Sequence, residues 1–340
     1  MTTKRIGILT SGGDAPGMNA AIRAIVLAAH QFDFQCVGFI AGYNGLIEQD
    51  YQILTPQDVQ HIIHRGGTIL KSARCPQMCT VTGLNQAVSS LIKLKIDTLI
   101  VIGGDGSFNG LLAIKQHWQG QVIGLPGTID NDLDGTDFTI GYSTAINTAI
   151  EAIDKIRDTA DAFDRVFVIE LMGRHSGHIA FNVGIATGAE QIISFENFSP
   201  DQSQEKVIQI VNDIAKQRQL GRSSYHIVLA ENLWPGGPQG LSEQLKSMVD
   251  IDTGLCVLGH IQRGGSPVAK DRILATRLGV ASVHAANKGE TDIMLGELKS
   301  EIVSVPLSEA IMHQKKVEEN LVAAQEDILA LSAQYRKRIS

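Results

Sequence analysis

Cysteine is scarce: four residues, Cys36, Cys75, Cys79 and Cys256, in a chain of 340. That is too few for a disulfide-built scaffold at this length. The Cys75-Pro76-Gln77-Met78-Cys79 stretch has the wrong spacing for zinc and no second pair nearby, so these cysteines are read as structural. Basic residues are in deficit, with 29 Lys and Arg against 36 acids and a net charge of −7. A general nucleic-acid binder is disfavoured, although a local basic pocket for a small anion is not. No apolar run approaches the ~20 residues of a membrane span. The start, Met1 to Arg5, leads directly into a short apolar stretch without the layout of a signal peptide. Low-complexity segments and flexible linkers are missing too. The sequence contains neither Gly-x-x-x-x-Gly-Lys-Ser/Thr nor Gly-x-Gly-x-x-Gly, which removes the P-loop and dinucleotide readings. The expectation is a soluble cytoplasmic protein that engages neither nucleic acid nor membrane. Its 44% hydrophobic and 19% charged residues are an ordinary globular balance, and its length exceeds what one core usually serves, which predicts two lobes.

What is abundant is glycine, 34 residues and clustered. Short apolar runs repeatedly end in a polar, glycine-rich turn: 6–9 before Thr10-Ser11-Gly12-Gly13-Asp14, 99–102 before Gly103-Gly104-Asp105-Gly106-Ser107, and 122–125 before Pro126-Gly127-Thr128-Ile129-Asp130-Asn131-Asp132. Runs at 166–169 and 227–230 precede Glu170-Leu171-Met172-Gly173-Arg174 and Glu231. Uninterrupted apolar runs of this length fit parallel strands buried on both faces. Between them, Ala145, Ile146, Ala149, Ile150, Ile153 and Ile156 recur at helical spacing with Ser143 as the cap, and 204–219 and 271–287 read as helices. Pro235-Gly236-Gly237-Pro238 reads as a surface excursion. From Val317 an amphipathic helix closes in Arg336-Lys337-Arg338, a basic finish that complements its dipole. Alternation of strands and helices predicts an α/β fold whose ligands gather beyond the carboxyl ends of the strands, where each polar turn falls.

Each turn has a chemical reading beside a plainer one. Gly12 to Ala20 joins strand to helix, so its N–H groups can approach an anion; it is equally a tight turn. Gly103 to Ser107 adds a carboxylate suited to Mg²⁺ beside phosphates, against a simple capped turn. In the 126–132 segment, Asp130 and Asp132 with Thr128 make a compact acid cluster, one acid serving as general base while the other orients a metal-bound water. An Asx-rich turn explains Asn131 and the acids but not Thr128. Arg65, Arg74, Arg174 and Arg263 sit in loops and, as a set, suit phosphate.

Together these words resemble the bacterial ATP-dependent 6-phosphofructokinases, the phosphofructokinase A family, over residues 4–312. The likeness rests on GGDAPGMNA at 12–20, GGDGS at 103–107, PGTIDND at 126–132, MGRHSG at 172–177 and LGHIQRGGSP at 258–267. It implies two similar three-layer α/β lobes with mostly parallel sheets and an active site in the cleft between them. Residues 1–141 with 262–312 would form the ATP-binding lobe, and 142–261 with 313–340 the sugar-phosphate lobe. The implied reaction is phosphorylation of fructose 6-phosphate at the 1-hydroxyl by Mg-ATP, the committed step of glycolysis. Asp130 would be the base, with Thr128 and Asp132 beside it and Asp105 acting on Mg²⁺. ATP would lie against Gly13, Tyr43, Arg74, Cys75 and the turn of Gly104, Asp105, Gly106 and Ser107, with Gly110 leaving room. Arg74 and Arg174 would neutralise the moving phosphoryl group. Thr128, Ile129, Asp130, Met172, Gly173, Arg174, Glu231, His260, Ile261, Gln262 and Arg263 would hold the sugar phosphate, with Arg165 reaching in from a neighbouring subunit of a homotetramer. Diphosphate-using relatives usually carry Asp and Lys where this chain has Gly106 and Gly127, which points to ATP.

Departures from the family pattern are specific. A family arginine that contacts the 6-phosphate across a subunit boundary falls on Gly254, and a charge-assisted contact of that kind contributes about 1.5–3 kcal/mol. Cys79 stands where a basic residue is usual. For an ADP or phosphoenolpyruvate effector, Arg23, Arg157, Gly188, Glu190 and Arg222 match, whereas Leu27, Pro56 and Leu220 replace cations. Weak or altered effector control is therefore expected. Alternatives are a kinase of the same fold using diphosphate or another ketose phosphate, and a non-catalytic sugar-phosphate sensor, which would be expected to lose Asp130. NAD and diacylglycerol kinases share a GGDG turn but not the 126–132 or 258–267 words.

Overall fold

A computed structural model describes residues 3–219, 221, 224–248 and 252–325. In chain order the elements are β1 (Arg5–Thr10), α1 (Met18–Gln31), β2 (Gln35–Phe39), α2 (Tyr43–Glu48), β3 (Tyr51–Leu54), α3 (Val81–Lys93), β4 (Thr98–Gly103), α4 (Asp105–Lys115), β5 (Gln121–Thr128), β6 (Ile140–Gly141) and α5 (Tyr142–Phe163). They continue with β7 (Val166–Leu171), α6 (His178–Thr187), β8 (Gln191–Ile193), α7 (Ser203–Gln219), β9 (Tyr225–Ala230), α8 (Gly237–Met248), β10 (Thr253–Val257), α9 (Ala269–Lys288), β11 (Ile293–Leu298), β12 (Glu301–Pro306) and α10 (Leu307–Ala310). Among the described residues no helix is long and apolar enough to cross a membrane.

The described chain divides into two compact units. The first runs to Ala145 and resumes with Arg263–Lys315; the second is Ile146–Gln262 with the described residues from Lys316 onward. The first unit holds an eight-stranded sheet in the order β12-β11-β5-β4-β1-β2-β3, with β6 added beside β5. Its pairs are parallel except β11–β12 and β2–β3. The second unit holds an all-parallel sheet in the order β10-β7-β9-β8.

Strands β4 and β9 are buried throughout, which is why they read as continuous apolar runs. In the first unit Leu9, Val37, Phe39, Leu99, Val101 and Val122 pack with Leu46, Leu91, Phe108, Leu111 and Leu307. The intervening strand residues Ile8, Ile100 and Ile102, equally buried, point to the opposite face. That face carries α1 and α9, packed on one another. Fully burying a side chain such as Phe108 stabilises the fold by about 1.5–3 kcal/mol.

Three local expectations change. Ser143 lies inside α5 rather than at its cap, and the first N–H groups of that helix are met by a carboxylate from α9. Pro235 and Gly236 lie exposed at the surface as expected, but the stretch is not a loop throughout, because Gly237 opens α8. Cys79 is exposed on a 3-10 turn, Pro76–Cys79, and therefore packs no core. Residues 319–325 are helical, while Arg336-Lys337-Arg338 fall outside the described residues.

Candidate active site

In the first unit, β4 ends at Gly103 and α4 begins at Asp105, with Gly104 in an extended conformation between them. A carboxylate in the first turn of a helix is favoured by the partial positive charge there. Ser107 is buried, and its carbonyl accepts a 2.6 Å hydrogen bond from the Tyr43 hydroxyl. Burial, with Cys75 nearby, holds that hydroxyl well above its ordinary pKa, so it remains protonated and donating. Arg74 precedes the 3-10 turn, and its carbonyl accepts from the Asn44 side chain at 3.4 Å. Gly13 follows β1 and abuts Arg263: a Cβ built there would stand 2.6 Å from Nη1. The same Nη1 donates to the Asp14 carbonyl at 3.3 Å.

The turn after β5 is clamped from within. Thr128, Ile129, Asp130 and Asn131 are all buried. The Asp130 N–H donates to Thr128 Oγ1 at 3.2 Å, which answers why a threonine stands here. Asn131 takes a left-handed backbone at φ 54°, and its Oδ1 accepts the Thr139 N–H at 3.0 Å. The Thr139 hydroxyl donates to the Thr128 carbonyl at 2.6 Å. Gly104 lies beside this turn, for a Cβ built on it would be 3.6 Å from that of Thr128. The glycine turn and the hydroxyl–carboxylate turn are therefore neighbours.

One residue that sequence reasoning missed joins the cluster. The His313 imidazole places Nε2 3.5 Å from Asp105 Oδ2 and Nδ1 3.8 Å from Asp132 Oδ2. A lone histidine after an apolar pair carries no sequence signal for this. Among the described residues no group of three or more His, Cys, Asp and Glu side chains is set to hold a metal ion; Asp105 and Asp132 offer the hard oxygens that Mg²⁺, which takes few protein ligands, prefers.

In the second unit, Glu231 follows β9 and organises the turn after β7. Its Oε1 accepts the N–H of Gly173 at 3.0 Å and of Arg174 at 2.8 Å. Arg174 is held at φ 58°, a conformation uncommon outside glycine. Gln262 is wholly buried and accepts the Met172 N–H at 2.9 Å, so the 258–263 segment and the Met172 turn are joined. His260 and Ile261 are exposed. Burial, then the charge of Glu231, raises the Glu170 carboxyl above its ordinary range. Arg165 forms an ion pair with Asp252 and covers the Phe163 ring at 4.8 Å.

Gly254 faces Phe167 across the β10–β7 pairing. A Cβ built on Gly254 would fall 2.4 Å from the Phe167 ring, so this phenyl occupies the space of any side chain there. Of the residues expected at an effector site, Arg157 donates to the Thr187 carbonyl at 2.7 Å and lies 3.9 Å from Glu190. Gly188 caps α6 at φ 62°. Glu190 Oε2 also accepts the His226 N–H at 2.8 Å and lies 3.3 Å from its Nδ1. Arg23 sits on α1 in the first unit, and Arg222 and Leu220 lie outside the described residues.

A glycine turn at a helix start, packed on a buried acid turn at the end of a parallel strand, places this chain among α/β proteins built to move phosphoryl groups between small molecules. A family model described as Phosphofructokinase matches residues 5–286. The chain is 48% identical over 328 residues to ATP-dependent 6-phosphofructokinase 1 of Thermus thermophilus, covering 96% of this chain and all of that protein. It is 46% identical to ATP-dependent 6-phosphofructokinase 2 of Bacteroides thetaiotaomicron, over 94% of this chain and 97% of that one. The solved phosphofructokinase of Saccharomyces cerevisiae superposes with a TM-score of 0.86 at 33% identity, over 96% of this chain; the chain spans 47% of that longer one. A pyrophosphate-dependent phosphofructokinase of Nitrosospira multiformis, 22% identical, shares the fold at a TM-score of 0.81, over 94% of this chain and 87% of that one. The chain belongs to the phosphofructokinase family.

Proposed function

We propose that the protein transfers the terminal phosphoryl group of ATP to the 1-hydroxyl of fructose 6-phosphate, with Asp130 as general base. The observation that carries this reading is the contact of the Gly104 turn with Thr128, which sets a phosphate-approach turn beside a buried carboxylate. The first unit would hold ATP through Gly13, Tyr43, Arg74, Cys75 and the 104–107 turn. The sugar phosphate would be held through Met172, Gly173, Arg174, Glu231, His260 and Arg263. Glu231 would act chiefly by keeping the Gly173 and Arg174 N–H groups in place. Asp105 and Asp132 would hold Mg²⁺, which when bound with ATP offsets the charge of the phosphates.

ATP as donor is supported by the names of the relatives at 43–48% identity and by the surroundings of Gly106, though not of Gly127. A Cβ on Gly106 meets nothing within 4 Å, so packing gives no reason for glycine there. A Cβ on Gly127 would fall 2.8 Å from Ile102, so that glycine has a packing reason of its own. Open space at 106 suits a bulkier donor.

A shared site with Arg165 from a neighbouring subunit makes a homotetramer in the cytoplasm the working form, and light scattering that reports a single chain at assay concentrations would contradict it. The activity itself is tested by a coupled assay with ATP, Mg²⁺ and fructose 6-phosphate. Asp130→Asn is expected to lower kcat by about 10²–10⁴-fold, the range for a lost general base. Wild-type turnover in that variant, or none with ATP in the unaltered enzyme, would overturn the reading.

A further inference from the structure

We propose that Asp271 is a positioning residue for the chemical step, holding the Thr128–Asp130 turn in its working geometry through β6. The inference rests on the reading of Asp130 as the base. Asp271 lies in the first turn of α9 and is wholly buried. A buried carboxylate is costly unless its oxygens are met by donors. Here Oδ1 accepts the Gly141 N–H at 3.0 Å, while Oδ2 accepts the Thr144 N–H at 2.7 Å and its hydroxyl at 2.5 Å. Burial raises its carboxyl above the usual range, against the pull of these donors and the Ser143 N–H.

Thr144 lies in the first turn of α5 and Gly141 immediately precedes that helix, so the carboxylate caps one helix from another. The Thr144 hydroxyl in turn accepts the Val268 N–H at 3.0 Å, closing the arrangement back onto the residue before α9. Gly141 belongs to β6, whose two residues pair with Gly127 and Thr128. Thr139, just before β6, bonds to both sides of the acid turn, at the Thr128 carbonyl and the Asn131 side chain. Behind β6 stands the glycine-rich turn after β1: a Cβ on Gly141, at φ 102°, would fall 2.6 Å from that of Ala15. The acid turn thus hangs from residues 139–141, and those hang from one charge on α9. The carboxylate's hydrogen bonds go to Gly141 and Thr144, next to the acid turn, so its effect is expected on the reacting carboxylate rather than on binding.

The test measures kcat and both KM values for Asp271→Asn, Thr144→Val and Thr139→Val, each alone and with Asp130→Asn. Displacement of a catalytic group by a fraction of an ångström to an ångström costs up to about a hundredfold. Asp271→Asn is expected to lower kcat about tenfold to a hundredfold with both KM values within about twofold. Combined with Thr139→Val its effect is expected to be less than multiplicative, since both act through one turn. With Asp130→Asn it is expected to lower kcat no further. A raised KM at unchanged kcat, or an equal further loss with Asp130→Asn, overturns the proposal. If Asp271→Asn does not fold, Thr144→Val decides, and unchanged kcat there overturns it. Full turnover in Asp130→Asn alone would instead remove the base reading, and the kcat–KM split of Asp271→Asn would still judge the positioning role.

Discussion

The Tyr43 ring fills the space that a side chain at Gly110 would need. A Cβ built on Gly110 would stand 2.8 Å from Tyr43 Cζ and 2.9 Å from its hydroxyl oxygen. Since that hydroxyl bonds to the Ser107 carbonyl, the start of α2 is latched onto the first turn of α4. The sequence reading gives Gly110 the part of leaving room for ATP; the group that takes this room in the structure is Tyr43. Gly110→Ala is expected to destabilise by about 1–3 kcal/mol through overpacking and to raise KM for ATP more than it lowers kcat. Tyr43→Phe, which removes only the hydrogen bond, is expected to cost about 0.5–1.5 kcal/mol. Thermal denaturation and ATP titration check both.

Glu190 carries a pH prediction. Burial opposes its charge, but the His226 side chain and N–H, with Arg157, more than offset this and hold its carboxyl below the ordinary range. A depressed carboxyl contributes stability that is complete above the unfolded value of about 4.3 and is lost as pH falls through the folded one. Glu190→Gln should therefore lower the urea midpoint at pH 7, with the gap to wild type closing at pH 3. An unchanged midpoint at pH 7 would contradict the pairing.

The same engagement leaves little of Glu190 for an effector. Titrations with ADP and phosphoenolpyruvate are expected to shift half-saturation for fructose 6-phosphate weakly. Strong ADP activation would overturn this expectation.

Gly254→Arg is expected to destabilise, because Phe167 stands where its Cβ must go. Trimming the neighbour as well, in Phe167→Ser with Gly254→Arg, should restore stability. It should also tighten fructose 6-phosphate binding by about 1.5–3 kcal/mol, roughly ten- to 150-fold in half-saturation. Comparing the single and double variants by melting and by saturation kinetics separates the two effects.

His313 competes for the carboxylates read as metal ligands. Removing turnover with EDTA and restoring it with Mg²⁺ should give a lower half-saturating Mg²⁺ in His313→Ala. The change should be about twofold to fivefold, the scale of an exposed pair. A higher value would mean that the imidazole assists the metal.

Strands were the most legible part of the fold, because strands such as β4 and β9 are buried on both faces and so are apolar without interruption. The turns after β1, β4 and β5 were legible for the same reason, each falling where a buried strand ends in glycine and acid. Contacts made across long stretches of chain were not. Asp271 caps α5 from about 130 residues away, so a local rule assigned the role to Ser143. His313 reaches Asp105 across about 200 residues with no spacing to betray it. Glu231 could be picked out as following a strand, but its work on the Gly173 and Arg174 N–H groups depends on two parallel strands lying side by side.

The Phe167–Gly254 pair also constrains sequence change. While the phenyl is present, any residue larger than glycine at 254 meets a ring 2.4 Å away, so a change there requires the half-buried ring to swing aside. A small residue at 167 removes that cost, so the two facing positions on neighbouring strands are coupled: what position 254 tolerates depends on what stands at 167.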